Sequence, residues 1–431
     1  MWEENWKRQA LLFLISQNFS IFGSSLVGFT IIWYITLKTF SGGWVTLATM
    51  STLLPPVFLS MWAGVLADRY NRKWIIMLSD GLTAMVTLAA FFLFCAGMES
   101  VSLLIALSFL RSSFGAFQSP AVNALYPQIV PEEHLVRISG INQTLNHTFL
   151  LISPAVGGIF LGTLGIQWSF LADVLTAFFA LAVMSWMKVS GPREKYTRSR
   201  KKKQAERSDQ EGIFSEREDL EAENGKETTV MEELRAGLGY AWHHPLLRII
   251  LIGYAVTFVL FTPLSRLSPL MISRTFGEEV WRLTANEMFW TAGSLAGGAI
   301  IALRGEIKNK YAGIFVTITV MGILILLMGL APYFWLFLFF DCLCGMLIPP
   351  MMASQTYLIQ TNTDPRYMGR VFSLMQIVSM GMVPMAMLFF GPLGDYVKIQ
   401  LLLIVTGGLM AVWGQWNYHK MMRYCRQQKG K

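Results

Sequence analysis

Leu11-Leu-Phe-Leu-Ile-Ser-Gln-Asn-Phe-Ser-Ile-Phe-Gly-Ser-Ser-Leu-Val-Gly-Phe-Thr-Ile-Ile-Trp-Tyr-Ile-Thr-Leu37 runs without one charged side chain. Its apolar residues do not alternate with polar ones, so it does not read as a half-buried strand. About 20 such residues cross the roughly 30 Å of hydrocarbon in a bilayer as a helix. Lys7 and Arg8 precede the stretch in the manner of a secretion signal. The stretch is too long for a signal's apolar region, and no small-residue cleavage site follows it. It therefore reads as a retained first span.

Working outward, the same pattern recurs. Blocks near 10–36, 44–66, 74–97, 101–123, 140–163, 166–187, 246–271, 283–303, 312–331, 333–357, 370–390 and 395–417 each suit one membrane crossing, with ends good to about three residues. The expectation is an all-α membrane protein with twelve transmembrane helices in two six-helix halves. Composition agrees. Of the 431 residues, 54% are hydrophobic and 14% charged, against roughly 25% charged in soluble chains. Transmembrane barrels give weak alternating segments of about ten residues, which are not seen here.

Basic residues orient the spans. One set of loops holds Lys38, Arg274, Arg282 and Lys398, while Arg111 and Arg266 fall inside spans. All the other Lys and Arg lie on the opposite side, which is expected to be cytoplasmic and to carry both termini. The net charge of +8 then reports topology and contact with anionic lipid, not nucleic acid. Three of the four cysteines (Cys95, Cys342, Cys344) lie in spans and Cys425 in a cytoplasmic tail, so disulfides are not expected. No grouping of His, Cys, Asp or Glu has metal-ligand spacing.

The pattern breaks once. Residues 1–188 form the expected N-terminal half and 246–431 the C-terminal half. Between them, 189–245 is a hydrophilic cytoplasmic linker that turns from basic (Arg198 to Lys203) to acidic (Glu216 to Glu223). It ends in an amphipathic surface helix over Met231 to Trp242. A faint repeat relates the halves. After the fourth span come Tyr126, Pro131, Arg137 and Gln143; after the tenth come Tyr357, Pro365, Arg370 and Gln376. Parallel repeated halves are a mark of transporters.

The loop after the second span reads Gly64-Val-Leu-Ala-Asp68-Arg69-Tyr-Asn-Arg72-Lys73. This resembles the G-x-x-x-D-R-x-x-R-K signature of the major facilitator superfamily. Asn71 stands where that family usually has Gly, and Asn tolerates a left-handed turn. Gly64 lets another helix approach. Asp68 is placed to cap a neighbouring helix or to hold Arg72, locking helix ends in one transport state. In the fifth span, Ser153-Pro154-Ala-Val-Gly157-Gly158 resembles the family's antiporter motif, with Ser153 for its first Gly. That substitution weakens the inference to proton antiport. Pro154 kinks the helix, and Gly157 and Gly158 permit close packing. The stretches Pro120 to Glu133, Glu233 to Pro245 and Gly369-Arg370-Val-Phe-Ser373 look like the macrolide-efflux and enterobactin-exporter branch.

The resemblance implies the major facilitator fold, no enzymatic activity and no cofactor, with a proton gradient as the energy source. It implies export of a drug-like or small amphiphilic metabolite by alternating access. The implied partners are that substrate and bilayer lipid in the cell membrane. The oligomeric state stays open, and a monomer suffices. Uptake by the same fold is the alternative. A membrane-embedded lipid-modifying enzyme would show a catalytic cluster at one membrane face, and a sensor would show a folded soluble domain; neither is seen.

Ionisable residues inside spans are costly and point to function. The resemblance places the first, fourth, seventh and tenth helices around a central cavity, so Arg111, Arg266 and Asp341 are expected to face it. Asp341 is expected to pair with Arg266 or Arg111, either as a proton-controlled switch or as a permanent bridge. Asp173 and Glu287 are expected at solvated interfacial positions, and Asp80 with the loop motif.

Overall fold

A computed structural model of the chain describes residues 6–187, 238–304, 310–364 and 367–429. The linker, with its charge reversal and the surface helix as far as residue 237, lies outside the described residues. Twelve long helices account for nearly all the rest. They are α1 (Trp6–Thr39), α2 (Gly42–Arg69), α3 (Arg72–Cys95), α4 (Val101–Ile129), α5 (Glu132–Ile159) and α6 (Ile166–Ser185). The second set is α7 (Pro245–Thr275), α8 (Val280–Arg304), α9 (Lys310–Leu330), α10 (Phe334–Asn362), α11 (Met368–Tyr396) and α12 (Ile399–Lys429). Eleven are long and apolar enough to cross a bilayer. The exception, α8, carries Arg282, Asn286 and Glu287 in its first two turns.

Several helices outrun the apolar blocks that announce them. The fifth begins at Glu132, eight residues before the expected 140, and the twelfth ends at Lys429, not near 417. Apolar content marks where hydrocarbon begins. The backbone continues to hydrogen-bond itself through the headgroup zone, where charged side chains are solvated. The fifth helix starts directly after Pro131, whose φ of −59° is ready for a helix start. It ends in a π-turn, Phe160–Leu164, before Gly165 reverses the chain at φ 96°.

The helices pack in a repeated scheme. Within the first six, the main pairings are α2 with α4, α3 with α4 and α6, and α1 with α5 and α6. Adding six to each label gives the main pairings of the second set: α8 with α10, α9 with α10 and α12, and α7 with α11 and α12. The faint loop repeat thus extends to the packing of each half. Glycines tighten the second half. A Cβ on Gly293 or Gly297 of α8 would strike the backbone of α10, and one on Gly322 or Gly329 of α9 would strike that of α12.

The two halves meet along two seams, α2 with α11 and α5 with α8. Both seams close at one end of the bundle, here called the Asp395 end; the other, carrying the α2–α3 loop, is the Arg72 end. Gly42 lies against Gly391, and the Thr46 hydroxyl donates to the Met387 carbonyl at 3.2 Å. Each step of four residues up α2 is matched by four down α11. Continued along the helices, that register sets Gly64 opposite Gly369. At both, the space where a Cβ would stand has no atom within 4 Å. The second seam behaves alike. Gly158 abuts Thr284 and Gly162 faces Val280, while the same register reaches Gly298, which has open space, and Thr144, which is exposed. The halves therefore touch at the Asp395 end and diverge toward the Arg72 end.

Candidate functional site

The seal at the Asp395 end is built on one carboxylate. Asp395 ends α11 and accepts from the Gly42 amide (2.6 Å), the Gly43 amide (2.9 Å) and the Ser41 hydroxyl (2.9 Å). The first amides of a helix have no partner within it, and its N-terminus carries partial positive charge. Asp395 thus caps α2 from the opposite half. Arg274, at the end of α7, holds Asp395 at 3.2 Å and donates to the carbonyls of Gly394 (2.6 Å) and Phe40. Phe40, at φ 47°, brings its carbonyl into that reach between α1 and α2. In the sequence Arg274 reads as a loop charge, and Asp395 does not stand out. The available signal was Ser41-Gly42-Gly43 at a helix start.

At the Arg72 end, the loop motif serves its own half. Arg72 donates to the carbonyls of Ala67 (3.1 Å) and Ala124 (2.8 Å), tying the loop to α4. Lys73 donates to Ser185 (3.0 Å) and Met187 (2.6 Å), the orphan carbonyls at the end of α6. Asn71 does not make the expected left-handed turn. Its φ is −68°, and its side chain accepts from the Lys73 amide, capping α3. Arg69 is exposed, the side chain of Asp68 lies outside the described part, and Arg370 stacks its guanidinium over Tyr367 at 5.4 Å.

The Pro154 motif splits in function. Ser153, Pro154, Gly157 and Gly158 are all buried. A Cβ on Gly157 would come within 3.1 Å of the Thr30 methyl on α1, inside the same half. Gly158, one residue on, packs on Thr284 across the seam.

Arg111 does not meet Asp341. It reaches Thr87 of α3 and forms an ion pair with Asp173 of α6, with 10% and 2% of the side chains exposed. Asp173 is therefore a buried partner, not a solvated interfacial residue. Gly23 of α1 makes room for it, since a Cβ there would meet Asp173 and Thr176. An ion pair in hydrocarbon removes two unpaired charges at once, which explains why these two residues find each other.

In the second half, Arg266, Glu287 and Asp341 come from three helices, α7, α8 and α10. Arg266 and Asp341 each feel the charge of Glu287. Among the described residues no direct ion pair reaches any of the three. Asp341 is 2% exposed, and its Oδ2 and the Arg266 Nε are buried without a hydrogen-bond partner. Glu287 thus stands in electrostatic reach of Arg266 on one helix and of Asp341 on another. Glu287 stands early in its span, which by sequence alone suggests the interface; its place beside Arg266 depends on the rotation of α8. Among the described residues no cluster suited to a metal ion occurs.

A family model described as "Major Facilitator Superfamily" matches residues 13–387. Macrolide efflux protein A of Streptococcus pyogenes is 27% identical over 414 residues, 94% of either chain. Multidrug efflux pump Tap of Mycobacterium tuberculosis is 23% identical over 416 residues, 90% of this chain and 89% of its own. Among solved structures, a mutant of the nucleoside transporter NupG superposes with a TM-score of 0.66 at 12% identity, covering 97% of this chain and all of that one.

Proposed function

The chain belongs to the Major Facilitator Superfamily, and on that premise we propose that it exports an amphiphilic, drug-like small molecule across the cell membrane, exchanging it for protons by alternating access. The observation that carries the reading is the asymmetry of the seams. Both are joined at the Asp395 end and parted at the Arg72 end, in registers that set Gly64 opposite Gly369 for the opposite state. A carrier must close one end as it opens the other, and a preformed register is what such rocking requires. The positive-inside rule makes the Arg72 end cytoplasmic. The shape is then the one that loads substrate from inside the cell.

Efflux, rather than uptake, is supported by the printed functions of the two relatives named above. Proton exchange is supported by the Arg266, Glu287 and Asp341 cluster. Glu287 couples the cluster, within reach of Arg266 and of Asp341, so a proton taken by either carboxyl removes the repulsion between the two. Neutralising a buried carboxylate changes local energies by several kcal/mol, enough to bias two global states. The test is flux from proteoliposomes loaded with a fluorescent amphiphilic drug or a macrolide, with a pH gradient of either sign. Uphill movement that reverses with the gradient and is lost in Asp341→Asn supports the reading. Movement indifferent to the gradient refutes proton coupling.

A further inference from the structure

The N-terminal half holds one more buried carboxyl. Asp80 lies on α3, eight residues or about 12 Å in from Arg72, and is only 6% exposed. It does not join the α2–α3 loop motif. Its Oδ1 accepts from the Ser20 hydroxyl of α1 (2.8 Å) and from the Gln118 amide of α4 (2.8 Å). Gln118 also leans on the Gln17 carbonyl of α1 at 3.4 Å, and the Gln17 Nε2 is buried with no partner.

The node has a twin. Seven residues on from Asp80 along α3 is Thr87, and seven back from Gln118 along α4 is Arg111. Those two are in contact, with Asp173 completing the set. The α3–α4 seam therefore carries two polar nodes about 10 Å apart. They differ in charge balance. The outer node has a guanidinium for its carboxylate. The Asp80 node has only neutral donors, Ser20 from α1 and Gln118 from α4, with the Gln17 carbonyl of α1 accepting from Gln118. The charged group that acts on it is Asp173 of α6, which carries the same sign of charge and is itself paired with Arg111 of α4.

A carboxylate in hydrocarbon without a countercharge is held ionised only by what donates to it. Here two donors share one oxygen, and among the described residues no donor is found for Oδ2. Those donors stand on α1 and α4, whereas the acid stands on α3. Any shift of α1 or α4 against α3 removes a donor and favours the neutral acid.

We propose that Asp80 is a second proton-binding site, housed wholly in the N-terminal half, whose occupancy is set by whether Ser20 and Gln118 keep their hydrogen bonds to it. The step is a simple protonation, in which the carboxylate takes a proton from water entering at the Arg72 end and becomes a carboxylic acid. The proposal rests on the proton-exchange reading for its place in the cycle, but not for its own test.

The test is infrared difference spectroscopy of the purified full chain in lipid nanodiscs, titrated from acid to alkaline buffer. The wild type is expected to show a carboxylic C=O band that fades with rising pH, is missing in Asp80→Asn and persists in Asp341→Asn. Ser20→Ala and Gln118→Leu each remove a donor to the charged form. Each should move the midpoint up by about one pH unit, a tenfold gain in proton affinity. These two variants carry the test if Asp80→Asn does not fold. Difference spectra of Asp80→Asn that match the wild type, or midpoints unmoved in both donor variants, would overturn the proposal. An Asp80 band that titrates as expected in a protein whose flux ignores the pH gradient sinks the exchange reading alone.

Discussion

Replacing Asp395 by alanine should release the seal between the halves. The wild-type carboxylate accepts three hydrogen bonds from the start of α2 and pairs with Arg274. Hydrogen bonds to a charged acceptor contribute about 1.5–3 kcal/mol each when shielded from water, and a carboxylate at a helix N-terminus adds about 0.3–1 kcal/mol. Asp395 and Arg274 are 29% and 30% exposed, so water competes and the full sum does not apply. A net loss of about 2–4 kcal/mol is reasonable. The bonds to Ser41, Gly42 and Gly43 cross between the halves and break when the Asp395 end opens, whereas the pair with Arg274 lies within the second half and supports the bridge. The substitution therefore weakens chiefly the state closed at that end. At 1.4 kcal/mol per decade, the population ratio moves roughly 30- to 1,000-fold toward the state open at that end. The assay is pulsed electron-electron resonance between spin labels at Met98 and Lys398, one on each half. The distance distribution should gain a longer component in Asp395→Ala and lose it again in a variant that reseals the end. An unchanged distribution in a folded, monodisperse protein would refute the argument that this carboxylate holds the halves together.

Gly369→Leu should leave folding near normal, since its Cβ space is empty, yet stop export by blocking closure of the Arg72 end. Wild-type flux in that variant would show that α2 and α11 never meet there. Arg111→Ala should cost about 3–5 kcal/mol by stranding Asp173, lowering the melting temperature; adding Asp173→Asn should restore much of it, and failure of that rescue would count against the pair as a unit. Single cysteines at Glu99 and Gly277 should react with an impermeant thiol reagent on whole cells while one at Asn71 does not, and external labelling of Asn71 would invert the proposed orientation.

Much of the architecture was open to a linear reading because the bilayer makes it local. A span must satisfy its own backbone and cover itself in apolar side chains, so composition alone locates it. Hence the twelve long helices and their places along the chain could be read from the residues in order. The close packing at Gly157 and Gly158 was likewise legible, since a glycine inside a span has few other uses. What the linear reading could not decide was which charges meet. By depth alone Arg111 competes with Arg266 for Asp341, yet it is held by Asp173, because the rotation of α4 and α6 about their axes turns those two toward each other. By distance from helix ends Asp173 and Glu287 read as interfacial and Asp80 as part of the loop motif, whereas packing turns Asp173 and Asp80 into the protein and sets Glu287 beside Arg266. Asp395 escaped notice because its partners, Ser41 to Gly43, lie in the other half and meet it only while one end of the bundle is shut. Distance along a chain fixes depth in the membrane. Helix rotation and the rocking angle between the halves fix who faces whom, and both are settled by packing summed over all twelve helices.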